Sequence, residues 1–185
     1  SPITALDSGG DELAGLFYTG GTTGRSKGVM LSHRNLLMNT LQFSGMAGFT
    51  RESTYIHAPP MFHIANGTCM FAIASVAGNG TIIPAFDPVK VLQTIQERSV
   101  TISLLVPTMI NMVVNHPDAG KYDLSSLKDV IYGASPMPQA VITKALQVIP
   151  HARFRQAYGQ TESAPILTLL EPERHCFEGP LSGKI

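Results

Sequence analysis

Tyr18-Thr19-Gly20-Gly21-Thr22-Thr23-Gly24-Arg25-Ser26-Lys27-Gly28-Val29-Met30-Leu31 is the run from which the rest of the chain can be read. Between Thr19 and Gly28 it holds four glycines, three threonines, one serine and one lysine. The strand-like residues Leu16 to Thr19 and Val29 to Leu31 flank it and predict a β-hairpin. Glycine admits positive φ and lets backbone N–H groups come close to an anion. The hydroxyls add rotatable donors, and Lys27 sets a cation beside them. A plain turn needs only two or three such residues, and this loop strings them together without a break. That is the composition of a loop that holds phosphate oxygens.

The nucleotide loop of the G-x-x-x-x-G-K-S/T type does not fit here. Ser26, not glycine, precedes Lys27, and Val29-Met30-Leu31 continue as a strand where that motif requires a helix. Gly183-Lys184 fails too, since Ile185 follows it and no glycine stands five residues before Gly183.

Outside the loop, composition narrows the class. The 185 residues are 44% apolar, enough for one domain with its own core. Thirteen basic residues balance thirteen acidic ones, so no basic face points to nucleic acid and no charge run to a tail. Cys69 and Cys176 lie far apart and match no zinc or redox spacing, which fits a cytoplasmic setting. Cys69 is expected in the core. No signal-peptide pattern opens the chain. The most apolar stretch, Cys69 to Ala77, is too short for a membrane span and predicts a core helix packed through Ala72, Ala74, Ser75 and Ala77. Ser1-Pro2-Ile3 at one end and Gly183-Lys184-Ile185 at the other are what a piece of a longer protein is expected to show.

Hydrophobic periodicity alternates between strand and helix along the chain. Ser32 offers an N-cap for a helix over about His33 to Gly45, with Leu37, Leu41 and Ser44 or Gly45 on one face. Thr54 to Ala58 predicts a buried strand, a helix begins near Phe62, and Thr81 to Pro84 predicts another strand. Asp87-Pro88 starts a helix whose apolar face is Val91, Leu92 and Ile95. Thr101 to Val106 predicts a central strand. Pro107 opens a short helix ending before Pro117, followed by a polar loop from His116 to Ser126. Val130 to Tyr132, a helix from Pro138 to about Ile149, Ala152 to Ala157 and Ile166 to Leu170 complete the pattern. The expected fold is α/β: a layered, mainly parallel sheet with helices on both faces, preceded by the hairpin that carries the phosphate loop. Residues 1–48 are expected to form the hairpin and following helix, and residues 49–185 the α/β sheet part. In such folds ligands gather beyond the carboxyl ends of the strands.

Three further segments fall at strand ends. Tyr158-Gly159-Gln160-Thr161-Glu162 offers an aromatic face, a hydroxyl and a carboxylate together. Gly133-Ala134-Ser135-Pro136 is either a tight strand-to-helix turn or a place where a flat base or an acyl group can approach the backbone. Pro60-Met61-Phe62-His63 precedes the core helix, with Asn66 and Gly67 one turn on, where they would leave space for an acyl chain. A lone histidine is more often structural than catalytic. His33, His57, His116, His151 and His175 show no partner pattern, and Met109 and Met112 are expected in the core.

The run from Thr19 to Gly28 resembles the phosphate loop of the adenylate-forming, or AMP-binding, enzymes: acyl-CoA synthetases, adenylation domains of peptide synthetases, and luciferases. The commoner spelling has serine near Gly20 and proline at Ser26, and both differences keep the loop's chemistry. Tyr158 to Glu162 completes that family's Tyr-Gly-x-Thr-Glu. Pro60 to His63 and Gly133 to Pro136 resemble its other segments, in the same order, so the resemblance covers about Leu13 to Ile185.

The resemblance implies a part of the large N-terminal domain of an acyl-CoA synthetase, using ATP, Mg²⁺ and coenzyme A. Under it Thr19, Gly20, Gly21, Thr22, Thr23, Gly24 and Lys27 hold phosphates. Gly133, Ala134 and Ser135 wall the adenine pocket opposite Tyr158, with Gly159 beside it. Thr161 contacts the α-phosphate, Glu162 helps hold Mg²⁺, and His63 is a gate or positioning residue at the carboxylate end of the acid pocket. An acidic ribose-binding residue and a small C-terminal domain with its lysine lie past Ile185 in that family. A piece of this length is therefore expected to fold but to have little or no ligase activity alone.

The implied partners are a carboxylic acid, ATP and CoA, with no nucleic acid and no transmembrane segment. The absence of an evident charged partner for a polar substrate favours an apolar, medium or long fatty acid. A carrier-loading adenylation domain and a nucleotide-binding module without chemistry of its own remain as alternatives.

Overall fold

In the computed structural model, which describes residues 9–20 and 26–175, the two sides of the glycine–threonine run do pair. Leu13–Thr19 (β1) and Lys27–Ser32 (β2) run antiparallel, with Leu16 opposite Met30, Phe17 opposite Val29 and Thr19 opposite Lys27. Alternate side chains of a strand point to opposite faces. Leu16, Tyr18 and Met30 are accordingly exposed, whereas Phe17, Val29 and Leu31 turn inward onto Leu36, Ile64 and Ala164. An isolated two-stranded ribbon is marginal in water, so this inner face is what holds the hairpin in place.

Helix α1, His33–Ala47, starts where the sequence predicts. The Ser32 hydroxyl accepts from the Asn35 N–H at 3.2 Å, and the Asn35 side chain accepts from the Ser32 N–H at 3.1 Å. Gly48 closes the helix at φ 78°, a left-handed conformation that glycine adopts without strain. The face it presents corrects the periodicity reading. Leu37 and Leu41 are more than half exposed, and the buried face is Asn39, Thr40, Phe43, Ser44 and Ala47. Asn39 and Ser44 are tolerated inward because the side chain of each has a backbone partner. Asn39 brackets Ile166, donating to its carbonyl at 2.7 Å and accepting from its N–H at 3.2 Å, and the Ser44 hydroxyl donates to Thr40 O at 2.7 Å.

The remaining strands are Thr54–His57 (β3), Asn79–Ile82 (β4), Ile102–Leu104 (β5), Asp129–Gly133 (β6), Arg153–Gly159 (β7) and Ile166–Leu170 (β8). They form one sheet in the order β4-β3-β5-β6-β7-β8, parallel throughout except for the last pair. The helices between them are Ile64–Ser75 (α2), Pro88–Arg98 (α3), Pro107–Val114 (α4) and Gln139–Val148 (α5). Strand alternation splits the apolar residues between two cores. Tyr55, Ile102, Leu104 and Ile131 face α1 and α2 through Phe43, Ala47, Cys69 and Ile73. Ile56, Val130, Tyr132 and Phe154 face α3, α4 and α5 through Leu92, Ile110 and Ile142. Helices thus cover both faces, as the alternating pattern requires.

Two local expectations change. Helix α2 ends at Ser75 and Ala77 lies beyond it at φ 53°; the packed positions are Asn66, Gly67, Cys69, Ala72 and Ile73, not Ala74, Ser75 and Ala77. The central strand is confined to Ile102–Leu104, because Pro107 begins α4 so soon afterwards. Among the described residues no helix is long and apolar enough to cross a membrane.

The sheet is also tied by charge. Asp129, 5% exposed, accepts from Arg153 at 2.7 Å and from the buried Arg155, whose Nε donates to Glu171 at 3.2 Å. Removing one partner of a buried pair leaves the other charge without compensation. Asp129→Ala is expected to destabilise the fold by about 3–5 kcal/mol, read by urea denaturation.

Candidate active site

The strand order reverses between β3 and β5: the chain steps outward to β4, then returns to lay β5, β6 and β7 on the other side. Loops leaving the sheet on either side of such a reversal diverge and leave a crevice. A cavity of about 370 Å³ opens there. Pro59, Pro60, His63 and Asn66 come from the turn after β3 and the start of α2, and Leu104, Val106 and Met109 from β5 and α4. Gly133 and Ala134 come from the end of β6, and Ala157, Gly159, Gln160 and Thr161 from β7 and beyond. Among the described residues no Asp, Glu, Lys or Arg side chain lines it. Its size suits a small organic ligand.

Two glycines let the backbone segments of this crevice approach closely. A Cβ on Gly133 would collide with the carbonyl oxygen of Ala157 on the neighbouring strand. A Cβ on Gly159 would collide with the carbonyl oxygen of Pro165. Backbone oxygens cannot swing aside as a side chain can. Directly after Gly133 the chain turns through Ala134 at φ 66°, a conformation that costs an L-residue about 1–2 kcal/mol. Strain of this kind gathers at binding sites.

The opposite wall is fixed by a buried polar cluster. Asn66, fully buried, donates from Nδ2 to the Pro59 carbonyl at 2.6 Å. Its Oδ1 accepts from the Tyr55 hydroxyl at 2.8 Å and meets His57 Nδ1 at 3.2 Å. Because Nδ2 must face a carbonyl, Oδ1 is the acceptor end, and His57 donates from Nδ1 as the neutral ring. Burial holds the His57 pKa below its ordinary value and pushes that of Tyr55 well up. Cys69, buried nearby, is driven up to about 12 and stays a thiol. His63 stands at the N-cap of α2 with its ring against Phe62 at 4.7 Å, exposed and on the cavity wall.

At the end of β7, Tyr158 projects its ring into solvent, 66% exposed. Residues Thr161–Ser163 form a 3₁₀ turn held by the Ser163 hydroxyl, which donates toward Gln160 O at 2.8 Å and Pro165 O at 2.6 Å. That turn lies against β2, and Leu31 of β2 shares an apolar cluster with Ala164. The strand leaving the phosphate-type loop and the Tyr158 to Glu162 segment are therefore neighbours.

Of the residues singled out by sequence, His63, Gly133, Ala134, Gly159 and Thr161 line the cavity. Ser135, Tyr158 and Glu162 each sit one residue from a lining position and are exposed. Thr19, Gly20 and Lys27 stand at the tip of the hairpin and line no part of the cavity. Gly21, Thr22, Thr23 and Gly24 lie outside the described residues, as does Cys176.

Met112, expected in the core, is half exposed, whereas Met109 packs against the core and also lines the cavity with Leu104 and Val106. Their place beyond the central strand, at the reversal of strand order, is the signal that could have found them. Asn66 does not simply leave room, since its carboxamide is fully committed to its three partners. Among the described residues no three metal-ligating side chains cluster.

The sequence model of the AMP-binding enzyme family matches residues 2–184. The chain belongs to that family. It is 36% identical over 168 residues to the putative acyl-CoA synthetase YngI of Bacillus subtilis, a match covering 90% of this chain and 30% of the relative. The N-terminal domain of FACL13 from Mycobacterium tuberculosis, solved with an inhibitor, superposes with TM-score 0.85 at 30% identity. That alignment covers 92% of this chain and 42% of the other. ATP-bound MatB from Rhodopseudomonas palustris gives TM-score 0.83 at 31% identity over 93% of this chain and 34% of MatB. The chain thus spans about a third of the length of the curated relatives it matches.

For this AMP-binding chain the cavity walls make two predictions. Gly133→Ala is expected to cost about 1–3 kcal/mol in urea denaturation. Gly120→Ala, where nothing lies within 4 Å of the new Cβ, should cost little.

The second concerns pH. An unfolded chain protonates His57 as pH falls through 6.5, while the folded chain resists because its pKa is lower. The folded state therefore loses stability toward acid, and the His57 share levels off once the folded ring titrates. Thermal unfolding between about pH 7.5 and 5.5 should show this fall, and His57→Gln should flatten it.

Proposed function

We propose that this chain is the ATP- and acid-binding part of an AMP-forming acyl-CoA synthetase. In that reaction a carboxylate oxygen attacks the α-phosphorus of ATP, pyrophosphate departs, and the acyl adenylate is then opened by the CoA thiol with release of AMP. The observation that carries the reading is the meeting of β2 with the Thr161–Ser163 turn beside an apolar cavity. One side is suited to phosphates and the other to the body of an acid.

Bringing a carboxylate to a polyphosphate sets two anions against each other, so positioning and charge neutralisation dominate the barrier. Lys27 and the Thr19 to Gly24 amides and hydroxyls would hold the outer phosphates, with the Thr161 hydroxyl at the α-phosphate. Tyr158, its ring open to solvent, would stack on adenine across from Gly133, Ala134 and Ser135. Glu162 is exposed and in no ion pair among the described residues, so its carboxylate can join phosphate oxygens and water around Mg²⁺. The metal would supply neutralisation of phosphate charge. His63, on the cavity wall, would position the carboxylate end of the acid.

Among the described residues the lining carries no Asp, Glu, Lys or Arg, which supports an apolar acid, of the medium or long fatty type, over an amino or dicarboxylic one. The unpaired thiol of Cys69, deep in the core, supports a cytoplasmic setting.

The test is pyrophosphate exchange into ATP by the full-length protein across a panel of acids, with and without CoA. Acid-dependent exchange followed by acyl-CoA formation is expected, and exchange without free CoA as an acceptor would point to a carrier protein. No exchange with any acid would sink the reading. Glu162→Gln is expected to lower exchange by about 10²–10³-fold, and Lys27→Ala to raise the KM for ATP about tenfold with the acid KM held.

A further inference from the structure

We infer that Asn66 is a positioning residue for the acid cavity, acting through the backbone of the Pro59 to His63 turn. The inference rests on the acid-activating reading above. The turn that carries Pro60 and His63 into the cavity has little to hold it. Its own bonds are the long His63 N–H to Pro60 O contact at 3.3 Å, and the His63 carbonyl is occupied by the N–H groups of Asn66 and Gly67. The Pro59 carbonyl is held by the Asn66 Nδ2 donor, at 2.6 Å.

Asn66 can donate there because its other end is fixed independently. Tyr55 and His57, on the rigid strand β3, both point donors at Oδ1. The carboxamide is thus oriented by the sheet and passes that orientation to the turn. All three partners are buried or backbone, so water cannot substitute for a lost bond. Asn66 also lines the cavity, so a change in its own position is felt by the acid directly. A displacement of about 1 Å in a positioning group can cost about 10²-fold in rate.

The experiment uses the full-length protein, with octanoate and ATP as probes in the exchange assay. Asn66→Ala removes the link and is expected to raise the octanoate KM about ten- to hundredfold while the ATP KM stays within about twofold. Asn66→Asp supplies a second readout that survives poor folding of the first variant. A carboxylate at this position still accepts from Tyr55 and His57 but has no proton to donate to the Pro59 carbonyl, so it removes only the link to the turn.

This variant is expected to raise the octanoate KM about tenfold while the ATP KM stays within about twofold. An unchanged octanoate KM in both variants, or equal shifts for octanoate and ATP, would overturn the inference. A wild type that shows no acid-dependent exchange at all would instead remove the acid-activating reading beneath it.

Discussion

Leu31, Ile64 and Ala164 come from three distant parts of the sequence and close on one another beneath the β1–β2 ribbon. A two-stranded ribbon has too little buried area to be stable alone, so this contact decides where β2 sits. It seats β2 against the start of α2, which bears His63, and against the turn that bears Thr161 and Glu162. Each of the three residues belongs to a different functional segment. Losing the contact would leave β1 and β2 held mainly through their packing against α1.

The sheet supplies the other half of the geometry. Its reversal between β3 and β5 opens the crevice, and the absence of side chains at Gly133 and Gly159 narrows the other end. One wall is rigid because it is backbone against backbone. The other is rigid because Asn66 spends every hydrogen-bonding group it needs on β3 and Pro59. Between them lies a lining with no charged side chain among the described residues, with Thr161 in it and the exposed Glu162 beside it. This separation suits a reaction in which an apolar acid must present one anionic end to a polyphosphate.

The strands and helices were legible because their signals are local. Ser32 with Asn35, Asp87 with Pro88, and the run from Thr101 to Val106, rich in β-branched residues and leucine, each state a start or a strand without reference to anything distant. Helix α1 shows where that logic fails. Leu37 and Leu41 form the apolar stripe that periodicity selects, and both face outward, while Asn39 is turned in. Hydropathy scores Asn39 as a surface residue because it cannot register a carboxamide matched to the backbone of Ile166, over a hundred residues away. Met109 was hidden for a related reason: a methionine on a short helix reads the same whether it fills a core or lines a cavity.

The sequence alone determined the family and the order of elements, because glycine, hydroxyl and carboxylate groups in tight succession, and caps and prolines at element starts, carry their own meaning. Tertiary structure decided which faces are buried, that a cavity with no charged side chain among the described residues lies at the strand reversal, and that Asn66 belongs to its wall. Those facts depend on distances between residues far apart in the chain, and packing alone sets such distances.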